Sequence, residues 1–241
     1  IYWDLYALPL MGETVINGYL VQIIEVTKRK QAEEQINASL KEKDILLQEI
    51  HHRVKNNMQV IASLLNLQSS SIDDDRVKNV LKESHGRIYA MSAIHEVLHN
   101  SESLSEIDLK SYLTMLGRAL IQTYTIDPGE VNLHIDCAEI NISINKANPL
   151  GLTINELISN SLKYAFSENK DNQIDIIAKV IDENDLEIIV NDNGVGMPKD
   201  FDWRKTDTLG LQLVRDLIEK QLKGAVIMES KNGTKFTIII N

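Results

Sequence analysis

The chain of 241 residues has one cysteine, four prolines and an aromatic content of only 5%. A single thiol, Cys137, excludes an internal disulfide framework and suits a reducing cytosol, so a cytoplasmic location is expected. Basic residues are outnumbered, 25 Lys and Arg against 35 Asp and Glu, for a formal charge of −10. That balance argues against a nucleic-acid partner, which selects a basic face. It leaves room for a small anionic ligand held by backbone groups and a metal ion. No apolar run approaches the ~20 residues of a membrane span, and no signal peptide is expected. The chain opens at Ile1 without an initiating Met, so it is expected to be a piece of something longer. What it does have is a 43% apolar content, enough to fold and to bury a core.

Three textures follow one another. Residues 1–27 read as short strands around a turn near Pro9 and Gly12, ending in the β-branched run "GYLVQIIEV". From Thr27 the run "TKRKQAEEQINASLKEKD" has helix formers and neither Gly nor Pro, and one helix is expected to about Ser69. Along it Ile36, Leu40, Lys43, Leu47, Ile50, Val54, Asn57, Ile61, Leu64 and Gln68 recur at alternating threes and fours, a heptad seam with two polar interruptions. "SSSIDDD" breaks the helix, and a second is expected from Asp75 to Asn100, with its own seam from Val77 to Leu98. Two such helices make an antiparallel hairpin, and two hairpins close a four-helix bundle, so a homodimer is expected. From Ser105 "SEIDLKSYLTMLGRAL" begins with a capping-box pattern and reads as a helix. Beyond it helices and strands mix. "QIDIIAKVI" and "DLEIIVND" predict an antiparallel pair, and "AVIMESKNGTKFTIII" a hairpin about an Asn-Gly turn. Cys137, in the alternating "VNLHIDC", reads as a buried strand residue.

Inside the first helix, "LLQEIHHRVKNNMQVIASLL" places His51 and His52 in a row of polar residues. With Ile50 and Val54 on the seam, His52 points away from it, among Gln48, Glu49, Lys55, Asn56 and Gln59. A solvated helix face explains the stripe by itself. The histidines show no zinc-ligand spacing. An outward, largely neutral imidazole also fits a nucleophile toward a phosphoryl group, provided a donor exists.

The C-terminal part offers one. In "NELISNSLKYA", Glu156 and Asn160 share a helix face, with Lys163 and Tyr164 one turn on. An amide oxygen such as that of Asn160 is a hard ligand for Mg2+, and a carboxylate behind it holds a water or acts as a base. "NDNGVGMP" follows an apolar strand. It places Asp192 where a carboxylate accepts the amino hydrogens of adenine, and Gly194 and Gly196 where the backbone approaches a flat ring. In "TLGLQLV", Gly210 opens a helix whose free N–H groups face phosphate.

These stretches together resemble the sensor histidine kinases of two-component systems. Residues 155–240 are similar to the ATP-binding domain shared by histidine kinases, DNA gyrase, mismatch-repair ATPases and heat-shock chaperones. "NELISNSLKYAF" resembles its N box, "DNGVGM" and "TLGLQLV" its two glycine boxes, and "GTKFTI" its last strand. Residues 44–68 resemble the phosphoacceptor segment of the subclass marked by His-Arg-Val-Lys-Asn, and residues 1–35 the end of a PAS sensor domain with its signalling helix. The resemblance implies an α+β fold, a helical-hairpin dimerisation and phosphoacceptor bundle followed by a two-layer α/β sandwich. Its expected parts are a PAS remnant (1–27), a coiled-coil linker (28–45), the phosphotransfer hairpin (46–104) and the ATP-binding domain (105–241). His52 would be the phosphoacceptor, Asn160 the Mg2+ ligand and Glu156 the carboxylate of the N box. Lys163 would approach phosphate, Tyr164 line the nucleotide, and Asp192 read adenine. Gly194, Gly196, Met197, Gly210, Leu211 and Thr234 would shape the ATP pocket. The phosphoryl group would pass to an aspartate of a response-regulator receiver domain. Two departures stand out. Arg53 occupies the place where the larger class has an acidic residue, so Glu49, one turn earlier, is the substitute base. The short stretch from Met197 to Thr208 implies a short lid. A dimeric signalling scaffold and a plain ATPase of the gyrase or chaperone type are the rival readings.

Overall fold

The computed structural model describes residues 2–11, 16–99, 106–125, 130–166, 171–182, 185–198, 200–206 and 208–241. The chain divides into two compact units, Ile1–Glu49 and Ile50–Asn241.

In the first unit, β1 (Trp3–Met11) and β2 (Ile16–Glu25) pair antiparallel, Trp3 opposite Glu25 and Leu8 opposite Leu20. The expected turn residue Gly12 lies outside the described residues. Two strands cannot bury both of their faces. Trp3, Leu5, Tyr6, Leu8, Val21 and Ile23 are accordingly exposed. The start of α1 (Thr27–Ser70) is tied to the strands. The Thr27 hydroxyl donates to Glu25 and accepts from the Tyr2 amide, while the Arg29 guanidinium meets Asp4 at 2.6 Å. The helix runs 44 residues, as an unbroken stretch of helix formers dictates, and none of its residues is buried.

In the second unit the end of α1 turns through residues 71–74 into α2 (Asp75–His99), where the Asp74 carboxylate accepts the Arg76 amide. The expected last residue, Asn100, lies outside the described residues. The two helices meet where the His51 ring faces His95 and Lys55 pairs with Glu96 at 3.2 Å. The other side of α2 does something the heptad pattern did not predict. Ala90, Ala93, Ile94 and Val97 are buried in the same core as the sheet domain that follows.

That domain begins with a correction. Ser105 lies outside the described residues, and the helix expected there starts later. Glu106–Asp108 form a short strand, β3, antiparallel to β5 (Asn141–Ser143), with Ile107 opposite Ile142 and fully buried. The helix α3 (Leu109–Tyr124) opens at Asp108, whose carboxylate accepts the Ser111 amide at 2.7 Å. Burial of Ile107 thus outweighs a helical start, and the aspartate caps the helix instead.

A five-stranded sheet of order β4-β6-β7-β9-β8 follows. It comprises β4 (Val131–Cys137), β6 (Asn172–Val180), β7 (Leu186–Asp192), β8 (Ala225–Ser230) and β9 (Thr234–Ile240). Only β4–β6 is parallel, and α4 (Ile144–Asn160) lies between these strands in sequence, as a parallel crossover requires. The expected β6–β7 pair and β8–β9 hairpin are antiparallel. Alternate residues Ile174, Ile176, Ile188, Val190, Phe236 and Ile238 are buried against the helices, giving two layers. Cys137 is buried at the end of β4. Burial, and then the Asp108 carboxylate, push its thiol up to about 11. Among the described residues, no helix is long and apolar enough to cross a membrane.

Candidate nucleotide site

Asp192 ends β7 and is 3% exposed. A buried carboxylate needs donors, and three converge on it. The amides of Gly194 and Thr234 donate to Oδ1 at 3.0 and 3.1 Å, and the Ser161 hydroxyl donates to Oδ2 at 2.8 Å. One lone pair of Oδ2 remains to accept a donor from a ligand. The glycines around it are structural requirements. Gly233 has φ +107° and a Cβ there would stand 1.8 Å from the Asp192 carbonyl; Gly196 has φ +74°. Gly194 is packed against the Ala165 carbonyl, and the Val195 amide donates to that same oxygen, which stitches the loop to the turn that follows α4. The Met197 amide donates to the Ser230 hydroxyl at 2.7 Å.

Below this loop lies a cavity of about 690 Å³, within the range of small-ligand sites. Of the residues singled out in the sequence, Glu156, Asn160, Lys163, Tyr164, Asp192, Gly196, Met197, Gly210, Leu211 and Thr234 all line it. Gly194 supports the loop instead, and His52 and Glu49 are on α1, outside the lining. The helix α5 (Leu209–Arg215) starts at the cavity wall. Its Gly210 lets the first turn approach Glu156, since a Cβ there would be 2.6 Å from Oε2.

The N-box helix does not run on uniformly. Residues Ser161–Ala165 form a wider, π-helical turn, a feature frequent at functional sites. It carries Lys163 toward α2 and leaves Tyr164 exposed at the mouth. Lys163 Nζ meets Glu83 at 2.6 Å and sits 5.3 Å from the centre of the Tyr124 ring. Burial first, and then Glu83 and Glu156, raise the Tyr124 phenol well above its ordinary range. Glu156, 3% exposed, is gripped by Arg87 through Nε to Oε1 at 2.8 Å and Nη2 to Oε2 at 3.0 Å. The Glu156 hydrogen bond, against some cost from burial, raises the Arg87 pKa further.

Sequence reasoning therefore missed Ser161 and one whole wall. Arg76, Val80 and Glu83 of α2 line the cavity, and Arg87 stands behind Glu156. Glu83 and Arg87, four apart on α2, match Lys163 and Glu156 in reversed order, as two helices crossing antiparallel require.

On α1, His51 is half-buried, with its Nδ1 3.0 Å from that of His95, while the neighbouring His52 is exposed.

An α-helical hairpin bearing an outward imidazole, followed by this sandwich with a carboxylate at its pocket floor, is the make-up of a protein-histidine kinase. Residues 49–124 match the family described as "Histidine kinase", and residues 145–241 match the "Histidine kinase-, DNA gyrase B-, and HSP90-like ATPase" family. Two segments that together span most of the chain thus match domains found in histidine kinases. It is 30% identical over 225 residues to the sensor histidine kinase PdtaS of Mycolicibacterium smegmatis, covering 93% of this chain and 44% of that one. It is 26% identical over 197 residues to the blue-light-activated histidine kinase 2 of Erythrobacter litoralis, covering 80% of this chain and 55% of that protein. The chain thus spans about half the length of these relatives or less. Among solved structures, the histidine kinase domain of the Erythrobacter litoralis EL346 blue-light activated histidine kinase has a TM-score of 0.59 at 25% identity. That match covers 83% of this chain and 92% of that domain.

Proposed function

We propose that this chain is the catalytic core of an ATP-dependent kinase that phosphorylates itself on His52 and passes the phosphoryl group to an aspartate of a receiver domain. The observation that carries this reading is the convergence of the N box and both glycine boxes on one cavity, in a chain that also exposes an imidazole on a helix. Asp192 accepts the exocyclic amine of adenine through its remaining lone pair. Lys163 and the first-turn amides of α5 take the phosphates, and the amide oxygen of Asn160 would hold Mg2+, which supplies charge neutralisation at the triphosphate. Glu156 accepts a hydrogen bond from a water at the phosphate end.

In the transfer, a ring nitrogen of neutral His52 attacks the γ-phosphorus with its lone pair, forming the N–P bond. The bond from phosphorus to the bridging oxygen breaks and ADP leaves with that electron pair. The proton on the other ring nitrogen goes to Glu49 or to water. Transfer onward breaks the N–P bond and makes an acyl phosphate on the receiver aspartate. The polar face around His52, Asn56 and Gln59 is the docking surface for that receiver.

Two further parts of the reading rest on exposed apolar surface. Ile36, Leu40, Ile50, Ile61 and Leu64 of the α1 seam are exposed in the single chain, and a second hairpin would cover them in a homodimer. The β1–β2 hairpin, apolar on both faces, is read as the end of a PAS-type sheet. Motion is also required. His51 is level with His95, and Glu83 at the cavity lies on the order of 18 Å further back along α2 at ~1.5 Å per residue. Either α1 shifts against α2, or the His52 of a second copy is the acceptor.

The test is incubation with γ-labelled ATP and Mg2+. Label should be lost in acid and survive base, and His52→Ala should abolish it while leaving nucleotide affinity intact. Equal labelling of that variant would refute the assignment.

A further inference from the structure

The Arg87–Glu156 pair joins α2 to the N box across 69 residues of sequence and uses both carboxylate oxygens. As a device for stability it is a poor choice, because the desolvation of two half-buried or buried charges consumes most of their attraction. Its geometry serves another purpose. Glu156 lines the cavity and Arg87 does not. The Asn155 side-chain amide donates to Glu156 Oε1 at 3.1 Å, and Gly210 leaves room for Oε2 on the opposite side. Gly86, one residue before Arg87, lets α2 close on α4, since a Cβ there would be 2.8 Å from Asn155 Oδ1. The carboxylate is therefore clamped from behind by a planar fork, with one lone pair of Oε2 left for a donor on the cavity side.

We propose that Arg87 is a positioning residue for the phosphoryl-transfer site: its guanidinium fixes the plane of the Glu156 carboxylate, so α2 of the phosphoacceptor hairpin sets the geometry of the nucleotide pocket. This rests on the reading of Glu156 as a group acting at the phosphates. Arg87 works only through Glu156, and a lysine, which keeps the charge but lacks the fork, replaces it incompletely.

The experiment compares wild type with Arg87→Lys, Arg87→Met, Glu156→Gln and the Arg87→Met/Glu156→Gln double variant. It reads the autophosphorylation rate, KM for ATP, ADP affinity by calorimetry and the urea midpoint. Arg87→Met should lower kcat by about 10- to 100-fold with KM and ADP affinity within about twofold, and Arg87→Lys should recover part of the loss. In the Glu156→Gln background, Arg87→Met should add nothing. Should Arg87→Met fail to fold, Arg87→Lys alone decides, with a several-fold drop in kcat expected at an unchanged KM. A wild-type kcat in either Arg87 variant overturns the proposal. So does an undiminished effect of Arg87→Met in the Glu156→Gln background, which would mark plain structural glue. A wild-type rate in Glu156→Gln alone would instead sink the role of Glu156 itself.

Discussion

His51 and His95 share a single hydrogen bond between their Nδ1 atoms, 3.0 Å apart, at the place where α1 touches α2. Such a bond exists only while one of the two nitrogens lacks a proton. The rings are tilted by 41°, and the Lys55–Glu96 ion pair flanks them one turn on. Burial, and then the neighbouring His51, lower the pKa of His95.

A pH dependence follows with a defined sign. A histidine whose folded pKa lies below its unfolded value of about 6.5 binds fewer protons when folded. Its contribution is present above that value and is lost as the pH falls through 6.5 toward the lowered folded pKa. Urea unfolding of the wild type should therefore show a lower midpoint at about pH 5.5 than at about pH 7.5. His95→Gln should shrink the difference. An identical drop in both proteins would place the acid sensitivity elsewhere.

Glu83 occupies Lys163 at 2.6 Å in a cavity that has to admit a polyanion. A phosphate must compete with that carboxylate and approach it at close range. Glu83→Gln should tighten ADP binding by about 3- to 10-fold, the scale of one partly exposed ion pair with added repulsion. The gain should vanish when Lys163→Met is added. Weaker binding by Glu83→Gln alone would show that the carboxylate assists the nucleotide.

Two backbone amides hold Oδ1 of Asp192, so in an asparagine the NH2 group takes the place of Oδ2 and would face the adenine amine with a donor instead of an acceptor. The cost of such a mismatch is about 1–3 kcal/mol, or roughly 5- to 150-fold in affinity. Calorimetry of Asp192→Asn should show ATP affinity falling within that range. Unchanged affinity would remove Asp192 from the adenine site.

Local chemistry carried the parts of this structure that were readable in advance. The Asn-Gly turn, the alternating strands and the helix formers from Thr27 onward each act over a few residues, and β8–β9, β6–β7 and α1 follow them. The cavity residues were legible for the same reason, as three short motifs each at the end of an element. Three features were not. The start of α3 turned on whether Ile107 would be buried, which depends on β5 more than thirty residues away. The π-helical turn at Ser161–Ala165 leaves no change in composition to mark it. Arg87 and Glu156 lie 69 residues apart, and nothing in either neighbourhood announces the other.

The alanines and Ile94 of α2 have a practical corollary. Cutting the polypeptide between residues 99 and 106, where connectivity suggests a natural seam, would strip the sandwich of a layer that fills its interior. A stable catalytic fragment has to begin at the head of α2, near Asp75. One helix thus belongs at once to the hairpin and to the interior of the sandwich.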